Sequence, residues 1–389
     1  MISPESLLAC FQERGISFFT GVPDSLLKDF GSVLTALPHE NHIIAANEGG
    51  AVGLAIGYHL ATGKVPVAYM QNSGLGNSVN PLLSLADKRV YSVPMILLIG
   101  WRGEPGAKDE PQHLSQGEAT TTILEAMGIP WRPLGVSVDQ VAETVAWAMS
   151  IAETCSQAVA ILVSKGAFHK SLGSEKAKDF PKKGLTRERA IEIVLENLNP
   201  DDVIVSSTGM ISRELFEITS QSASKQLPTY FMTIGGMGHA SQIALGISLN
   251  STRRVVCLDG DGAALMHLGG MATIGTIRGF NLAHIVLNNE VHDSVGGQPT
   301  AAAKMSLTKV AESCGYGIVA PRATSEAEFR DSLLSILHGD GARFLEVKVL
   351  PGHRSNLGRP SQTPGQSKID FMQSLSSKLA RVGPNNIEM

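Results

Sequence analysis

The same order of elements occurs twice along the chain, and this repetition restricts the fold more than any other feature. In the first half a helix of small residues, AVGLAIGYHLA (51–61), leads into the apolar run VPVAYMQNSG (65–74). In the second half ASQIALGISL (240–249) leads into RRVVCLDGDG (253–262). Short buried strands separated by helices are typical of parallel sheets covered on both faces. The sequence therefore predicts an α/β fold with two doubly wound parallel-sheet domains.

A polar, lysine-rich segment, SLGSEKAKDFPKKG, separates the two halves. A chain of 389 residues is long for one hydrophobic core and suits two domains. We expect the domains at 1–170 and 185–362, with 171–184 as the linker. A tail at 363–389 can form one helix. The short linker leaves no room for a middle domain.

The amino-acid composition and the net charge exclude several classes of protein. Hydrophobic residues make up 43% and charged residues 17% of the chain, which fits a globular protein. The net charge is −4 and no long basic run occurs, so nucleic acid is not the expected partner. Cys10, Cys155, Cys257 and Cys314 lie far apart, which suits a reducing compartment. Neither an export signal nor a membrane-spanning run is recognisable, so we expect a cytoplasmic protein with no membrane partner.

Polar, glycine-containing motifs follow two neighbouring apolar runs in the second half. GDGA follows VVCL, and Asn289 ends the next run, LAHIVLNN. Ligands of open parallel sheets bind at the carboxyl ends of the strands. The bare backbone of Gly260 and Gly262 allows amide groups to approach a phosphate, and a helix beginning near Ala263 adds its positive end. The carboxylate of Asp261 and the amide oxygen of Asn289 suit Mg²⁺.

Each motif alone has a simpler interpretation. GDG is a common turn, and a double asparagine often just ends a strand. A dinucleotide site would need GxGxxG after the first strand, and a P-loop would need GxxxxGK[ST]; neither occurs. A flavin- or nicotinamide-dependent oxidoreductase therefore has less support, as does a non-enzymatic regulatory protein.

Together, GDGAALMH and VLNNE resemble the cofactor signature of thiamin diphosphate-dependent enzymes. The resemblance implies bound thiamin diphosphate and Mg²⁺, with Asp261, Asn289 and the Val291 carbonyl as metal ligands. It also implies a pyrimidine-binding domain at 1–170 and a diphosphate-binding domain at 185–362. Relatives bind the cofactor across subunits, so we expect a homodimer or larger homo-oligomer with the cofactor at the subunit interface.

The segment ANEGGAVGLAIGYHLATG is similar to the family segment that carries a glutamate for the pyrimidine ring, and Glu48 matches it. A carboxyl group at a pyrimidine nitrogen assists the proton transfer that activates the cofactor. Without the resemblance, an acid at a helix start is explained by the helix dipole alone. In GGMGHASQIALG, Met237 matches the bulky residue that lies under the cofactor. The resemblance assigns further cofactor contacts to Ser207, Thr208, Gly209, Gly235, Gly260, Asp261, Gly262 and Ala263.

Because it has no middle domain, the chain resembles the branch of this family that acts on phosphonopyruvate or sulfopyruvate. GVPDS, RGEPGAKDEPQH, NNEVHDSVGGQPT and SNLGRP agree with it. The resemblance implies a 2-oxoacid carboxy-lyase that converts 3-phosphonopyruvate to phosphonoacetaldehyde and CO2 in phosphonate biosynthesis. Sulfopyruvate decarboxylation and acetolactate-type carboligation are the alternatives.

Such a reaction needs a proton donor and a site for a small anionic 2-oxoacid. Asp24 in GVPDS and His113 in DEPQH match positions where related decarboxylases carry an acid and a histidine, and His292 is a third candidate. A single histidine is more often only hydrogen-bonded. The expected substrate contacts are Asp24, Ser25, Arg354 and Arg359, with Arg102 and the backbone of 294–297 also available.

Overall fold

The computed structural model describes residues 1–170, 183–221, 226–354, 356–358, 360 and 362–379. The chain forms two compact units. The first contains Met1–Asp179 together with His292–Thr300, and the second contains Phe180–Val291 and Ala301–Met389. The domain range expected at 185–362 includes His292–Thr300, whereas this segment belongs to the first unit. The expected domain ranges remain a proposal. Most of the expected linker lies outside the described residues.

The first unit is one parallel sheet with helices. Its strands are β1 (Phe19–Gly21), β2 (His42–Ile44), β3 (Val67–Gln71), β4 (Met95–Gly100), β5 (Trp131–Pro133) and β6 (Ala158–Val163). Its helices are α1 (Pro4–Gln12), α2 (Lys28–Thr35), α3 (Glu48–Thr62), α4 (Leu75–Pro81), α5 (Pro111–Ala126) and α6 (Val138–Cys155). A 3-10 turn, Asn72–Gly74, precedes α4, and a π-helical turn, Leu82–Ala86, follows it. The strand order is β2-β1-β3-β4-β6-β5.

Both faces of this sheet are covered, as the apolar runs predict. Along β4, Ile96 and Leu98 pack into a cluster that contains residues of α1 and α6. Met95, Leu97 and Ile99 point the other way, into a cluster with residues of α3 and α5. Successive side chains of a strand alternate between faces, so a strand buried on both sides must be apolar throughout.

The second unit repeats this design. Its strands are β7 (Val203–Ser206), β8 (Thr229–Met232), β9 (Val255–Gly260), β10 (Asn281–Asn288), β11 (Ile318–Val319) and β12 (Gly341–Lys348), in the order β11-β12-β10-β9-β7-β8. Its helices are α7 (Arg187–Glu196), α8 (Met210–Gln221), α9 (Ala240–Leu249), α10 (Asp261–Met266), α11 (Gly269–Thr276), α12 (Leu307–Cys314), α13 (Glu326–Leu337) and α14 (Pro364–Leu379). All strand pairs are parallel.

The predicted α/β fold of two doubly wound sheets is confirmed. In the second sheet, Val256 and Leu258 pack into the cluster that contains residues of α7, α8 and α13. Val255 and Cys257 face the cluster with residues of α9, α11 and α12. The helix expected near Ala263 begins two residues earlier, at Asp261. Among the described helices, none has the length and apolar character needed to cross a bilayer.

Candidate active site

Glu48 is the first residue of α3, in the first unit. Its side chain is buried, and its Oε2 accepts a hydrogen bond of 2.7 Å from Nδ2 of Asn77 on α4. Asn47 caps the helix by accepting from the amide of Gly50 at 2.8 Å. The cap fixes where α3 begins, and therefore where the carboxylate lies.

Glycine makes room for this carboxylate. A Cβ atom on Gly74 would lie 2.4 Å from Cγ and 2.5 Å from Oε1 of Glu48. A Cβ on Gly49 would lie 2.9 Å from the carbonyl oxygen of Asn77. Real Cβ contacts are longer than this, so the turn after β3 and the start of α3 can pack this closely only because both positions lack a side chain.

Asp24 lies beyond the carboxyl end of β1 and is 2% exposed. Its Oδ2 accepts from the amides of Leu26 at 3.0 Å and Leu27 at 3.3 Å. Its Oδ1 is buried and has no hydrogen-bond partner among the described residues. Burial raises the pKa of Asp24 to about 6, although the two amides and Arg102 act in the opposite direction. A Cβ on Gly100 would lie 2.0 Å from Oδ2, so β4 must end in glycine here.

Arg102 is fixed next to Asp24 by a chain of polar contacts. Asp109 accepts from Arg102 Nε at 2.7 Å and from its Nη2, and this pairing lowers the pKa of Asp109 to about 2. Nη1 donates to Oγ of Ser25 at 2.9 Å. The Asn72 side chain accepts from the Arg102 amide and donates to its carbonyl at 2.8 Å. The guanidinium, one serine hydroxyl and the Asp24 carboxyl thus share one edge of the first sheet.

The two candidate histidines also belong to the first unit. His113 is the third residue of α5, and burial, together with Arg102, lowers its pKa. His292 lies in the segment His292–Thr300, and burial lowers its pKa to about 4. Both imidazoles are therefore held towards the neutral form, in which one ring nitrogen accepts and the other donates.

The second unit brings the expected metal ligands to one edge of its sheet. β9 and β10 are neighbouring parallel strands, and Leu287 pairs with Gly260. Asp261 comes directly after the last residue of β9, and Asn289 comes directly after the last residue of β10. Both side chains are buried, at 2% and 8% exposure. A buried carboxylate and an amide oxygen at adjacent strand ends form an oxygen donor set suited to Mg²⁺, so the residues present fit this ion.

The segments expected to bind the diphosphate converge on the same edge. Ser207, Thr208 and Gly209 follow β7, the other neighbour of β9. The turn with Gly235 and Met237 connects β8 to α9. A Cβ on Gly238 would lie 3.0 Å from the carbonyl oxygen of Ala263, so this turn packs directly against α10. Gly260, Gly262 and Ala263 complete the edge as the end of β9 and the first turn of α10.

Comparison with known proteins agrees with this geometry. The C-terminal TPP binding domain of thiamine pyrophosphate enzymes matches residues 208–347, and the N-terminal TPP binding domain matches residues 4–123. The chain belongs to the thiamine pyrophosphate enzyme family. The expected family and cofactor, thiamin diphosphate, are thereby confirmed.

Relatives named phosphonopyruvate decarboxylase resemble the chain along nearly all of its length. The phosphonopyruvate decarboxylase of Streptomyces viridochromogenes is 34% identical, and the match covers 94% of this chain and 93% of that protein. The phosphonopyruvate decarboxylase of Streptomyces hygroscopicus is 33% identical, with 96% and 94% covered. These relatives confirm the expected branch of decarboxylases.

A third relative is made of two chains. The beta subunit of sulfopyruvate decarboxylase from Methanothermobacter thermautotrophicus is 37% identical over 43% of this chain and 84% of that subunit. The alpha subunit of the same organism is 35% identical over 41% of this chain and 94% of that subunit. Both resemblances are partial with respect to this chain.

Arg354 and Arg359 were expected to contact the substrate, and only Arg354 is among the described residues. Arg354 forms ion pairs with Glu188 at 2.8 Å and Glu217 at 3.1 Å, so its guanidinium is already engaged by two carboxylates. These pairs raise its pKa. Arg359 lies outside the described residues. Arg102 and Ser25 are the described groups of this set that lie beside Asp24.

Sequence reasoning missed several residues that this thiamine pyrophosphate enzyme uses to build the site. Asn77 holds Glu48, Asp109 fixes Arg102, and Asn72 ties the ends of β3 and β4 together. The signals in this region are the polar end of the run VPVAYMQNSG, which contains Asn72, and the segment RGEPGAKDEPQH, which contains Asp109. The partner of Glu48 lies on another helix, and no spacing in the sequence specifies that contact.

Proposed function

We propose that this thiamine pyrophosphate enzyme decarboxylates 3-phosphonopyruvate to phosphonoacetaldehyde and CO2. The observation that carries the proposal is the similarity to phosphonopyruvate decarboxylases, which extends over more than nine-tenths of both chains. In this reaction the carboxylate leaves as CO2 and one proton takes its place on carbon. The protein must therefore bind an anion, assist loss of CO2 and deliver a proton.

The proposed metal ligands are Asp261, Asn289 and the Val291 carbonyl, with the diphosphate supplying the remaining oxygens. The support is the register of β9 and β10, which brings the carboxylate and the amide oxygen to one edge. When bound, thiamin diphosphate supplies the electron sink for the bond that breaks. Ser207, Thr208, Gly209 and the Met237 turn are proposed to hold the cofactor from the same side.

Glu48 is proposed to hold a proton at a nitrogen of the pyrimidine ring. Its burial excludes water, and Asn77 fixes its carboxylate in one orientation. Because the Asn77 amide donates to Oε2, the other oxygen of the carboxyl group is the one that can face the ring. Proton transfer through a positioned side chain contributes typically ~10²–10⁴-fold to a rate.

Asp24 is the proposed donor of the proton that replaces the carboxylate. Its pKa of about 6 leaves a larger protonated fraction near neutral pH than an ordinary aspartate has, and its Oδ1 has no other partner among the described residues. The lowered pKa values of His113 and His292 favour their neutral forms, so a charged imidazolium donor is less available at either position, although a neutral imidazole can still relay a proton.

The phosphonate is proposed to lie near Arg102 and Ser25. Asp109 accepts from Nε and Nη2 along one edge of the guanidinium and Ser25 accepts from Nη1, which leaves one N–H on each of Nη1 and Nη2 for a ligand. Ser25 accepts from Arg102, so its own hydroxyl proton is available to an anion. Protonation of Asp24 removes the negative charge that would repel such a substrate.

The proposal also covers the oligomeric state of the enzyme and its location in the cell. We propose at least a homodimer, as the family resemblance implies, with the cofactor at the subunit interface. A cytoplasmic location is supported by the four cysteines, none of which forms a disulfide. Sedimentation of the active enzyme as a single chain would contradict the dimer.

Sulfopyruvate is the second candidate substrate, because both subunits of a sulfopyruvate decarboxylase resemble parts of the chain. The test is CO2 release from phosphonopyruvate, sulfopyruvate and pyruvate by enzyme loaded with thiamin diphosphate and Mg²⁺. We expect the highest kcat/KM with phosphonopyruvate. A preference for sulfopyruvate would reassign the substrate. Acetolactate formation from pyruvate would instead indicate carboligation.

A further inference from the structure

Glu290 has a backbone conformation that glutamate rarely adopts. Its φ is +65°, in the left-handed region, and it is one of three non-glycine residues with positive φ in the described part of the chain. It stands between Asn289 and Val291, the two proposed cation ligands on this side of the site. Strained residues persist only where their surroundings hold them, and they are concentrated at functional sites.

Contacts on both the backbone and the side chain hold Glu290 in place. Its amide donates to Oδ1 of Asn288 at 3.0 Å. Its Oε1 lies 3.2 Å from Nη2 of Arg322 and 3.3 Å from Nζ of Lys348. The following amide, that of Val291, donates to Oδ1 of Asn289 at 3.2 Å.

A second, buried carboxylate ties these contacts to the sheet. Glu346 on β12 is fully buried, and its Oε1 accepts from Nδ2 of Asn288 at 2.8 Å. The same oxygen lies 3.3 Å from Nε of Arg322. Its Oε2 accepts from both the amide and the hydroxyl of Thr308, each at 3.2 Å. Arg322 therefore lies within ion-pair distance of a carboxylate on the strand and of the carboxylate of the strained residue, although its Nε forms no hydrogen bond.

We propose that Glu290, Arg322, Glu346 and Asn288, which we name the Glu290 clamp, orient the Asn289 side chain and the Val291 carbonyl towards the divalent cation. This inference rests on the proposed cation site. The left-handed turn at Glu290 sets the relative direction of the two groups that flank it, and the clamp maintains that turn. These are positioning residues, since they act through Asn289 and Val291. Lys348 is half exposed and contributes less.

An electrostatic role of the clamp and a positioning role predict different results for two variants. Glu290→Gln removes a negative charge near the cation, and Arg322→Met removes a positive one. If the clamp acted only through its electrostatic field, Glu290→Gln would weaken Mg²⁺ binding and Arg322→Met would strengthen it. If it acts by positioning, both variants weaken binding. Outer partners of metal ligands typically change affinity by about 10- to 100-fold.

The experiment is calorimetric titration of Mg²⁺ into the full-length protein in the presence of a constant excess of thiamin diphosphate, at two salt concentrations. We expect the Mg²⁺ Kd to rise about tenfold in both variants. KM for phosphonopyruvate should stay near the wild-type value, and kcat should recover at saturating Mg²⁺. Arg322→Lys keeps the charge but cannot bridge both carboxylates, so it should also bind Mg²⁺ more weakly.

Arg330→Met is the matched control, because Arg330 pairs with Glu196 and Glu326 on the surface of the same unit. It should leave the Mg²⁺ Kd unchanged. Tighter Mg²⁺ binding by Arg322→Met, or a Kd within twofold of wild type in all clamp variants, would overturn the inference. A wild-type protein that binds thiamin diphosphate without any need for Mg²⁺ would instead overturn the cation site itself. Should Arg322→Met fail to fold, Glu290→Gln and Arg322→Lys still decide the question.

Discussion

Asn77 donates a hydrogen bond of 2.7 Å to the carboxylate of Glu48, across the gap between α4 and the first turn of α3. Glu48 is buried, whereas Asn77 is exposed, and the turn that contains Gly74 packs against the Glu48 side chain. This arrangement gives the proposed proton-transfer group a single orientation. Substitutions at Glu48, Asn77 and Gly74 measure how much this arrangement contributes to turnover and to stability.

Glu48→Gln should retain thiamin diphosphate binding but lower kcat by about 10²–10⁴-fold, since the amide cannot exchange a proton. Asn77→Ala should reduce kcat by a smaller factor, of roughly tenfold, because the carboxylate loses its fixed orientation. Calorimetry of cofactor binding and steady-state kinetics on the same preparations separate the two effects. Full turnover by Glu48→Gln would remove this residue from its role.

Gly74→Ala should damage the site through overlap alone, since the added Cβ would lie 2.4 Å from Glu48. We expect a loss of about 1–3 kcal/mol in the free energy of unfolding, together with lower activity. Gly76→Ala is the matched control, because no atom lies within 4 Å of its Cβ position. Chemical denaturation measures both variants. Equal stability of the two would show that the turn relaxes without cost.

Asp24→Asn should change the pH dependence of stability. The folded-state pKa of Asp24 is about 6, above the ordinary value of 3.8, so the folded protein retains this proton where the unfolded chain loses it. Stability from this group is therefore complete below pH 4 and falls as the pH rises through 6. The loss amounts to at most about 3 kcal/mol.

The asparagine variant lacks this loss, so its stability relative to wild type should increase between pH 4 and pH 7. Denaturant titrations at several pH values test this. The variant Asp139→Asn, at an exposed position, controls for removal of one negative charge. A stability difference between Asp24→Asn and wild type that does not vary with pH would contradict a raised pKa.

Asp261→Ala should abolish Mg²⁺-dependent retention of thiamin diphosphate, because the only charged ligand in the proposed set is lost. The exposed residue Asp340 in the same unit offers a control, and Asp340→Ala should bind both ligands normally. Calorimetric titrations with and without Mg²⁺ distinguish the outcomes. Unchanged cofactor affinity of Asp261→Ala would exclude Asp261 as a ligand.

Parallel strand geometry explains why much of the fold and part of the site can be predicted from the sequence. Strand ends that follow apolar runs meet at one edge, so Asp261 and Asn289 could be associated before any coordinates were known. The helix predicted at 51–61 is present as α3, but it begins three residues earlier, at Glu48, after the Asn47 cap. These features depend on local sequence and on the period of burial.

Contacts between distant segments could not be predicted in this way. The Asn77–Glu48 bond depends on how α4 packs, and the raised pKa of Asp24 depends on burial by Gly100 and its neighbours. Arg354 pairs with Glu188 and Glu217, contacts that the sequence does not indicate, and its role at the substrate stays a prediction. Long side chains reach several partners, and a sequence does not specify which one is nearest.

The segment His292–Thr300 belongs to the first unit although the chain on both sides of it belongs to the second. Within the first unit its Gln298 lies against Gly31 of α2. A protein cut in 171–184 would therefore give an N-terminal fragment missing part of its own packing, and a C-terminal fragment that carries the missing piece. Each fragment should be less stable alone than in the presence of the other, which makes this linker a natural place to attempt split-protein complementation.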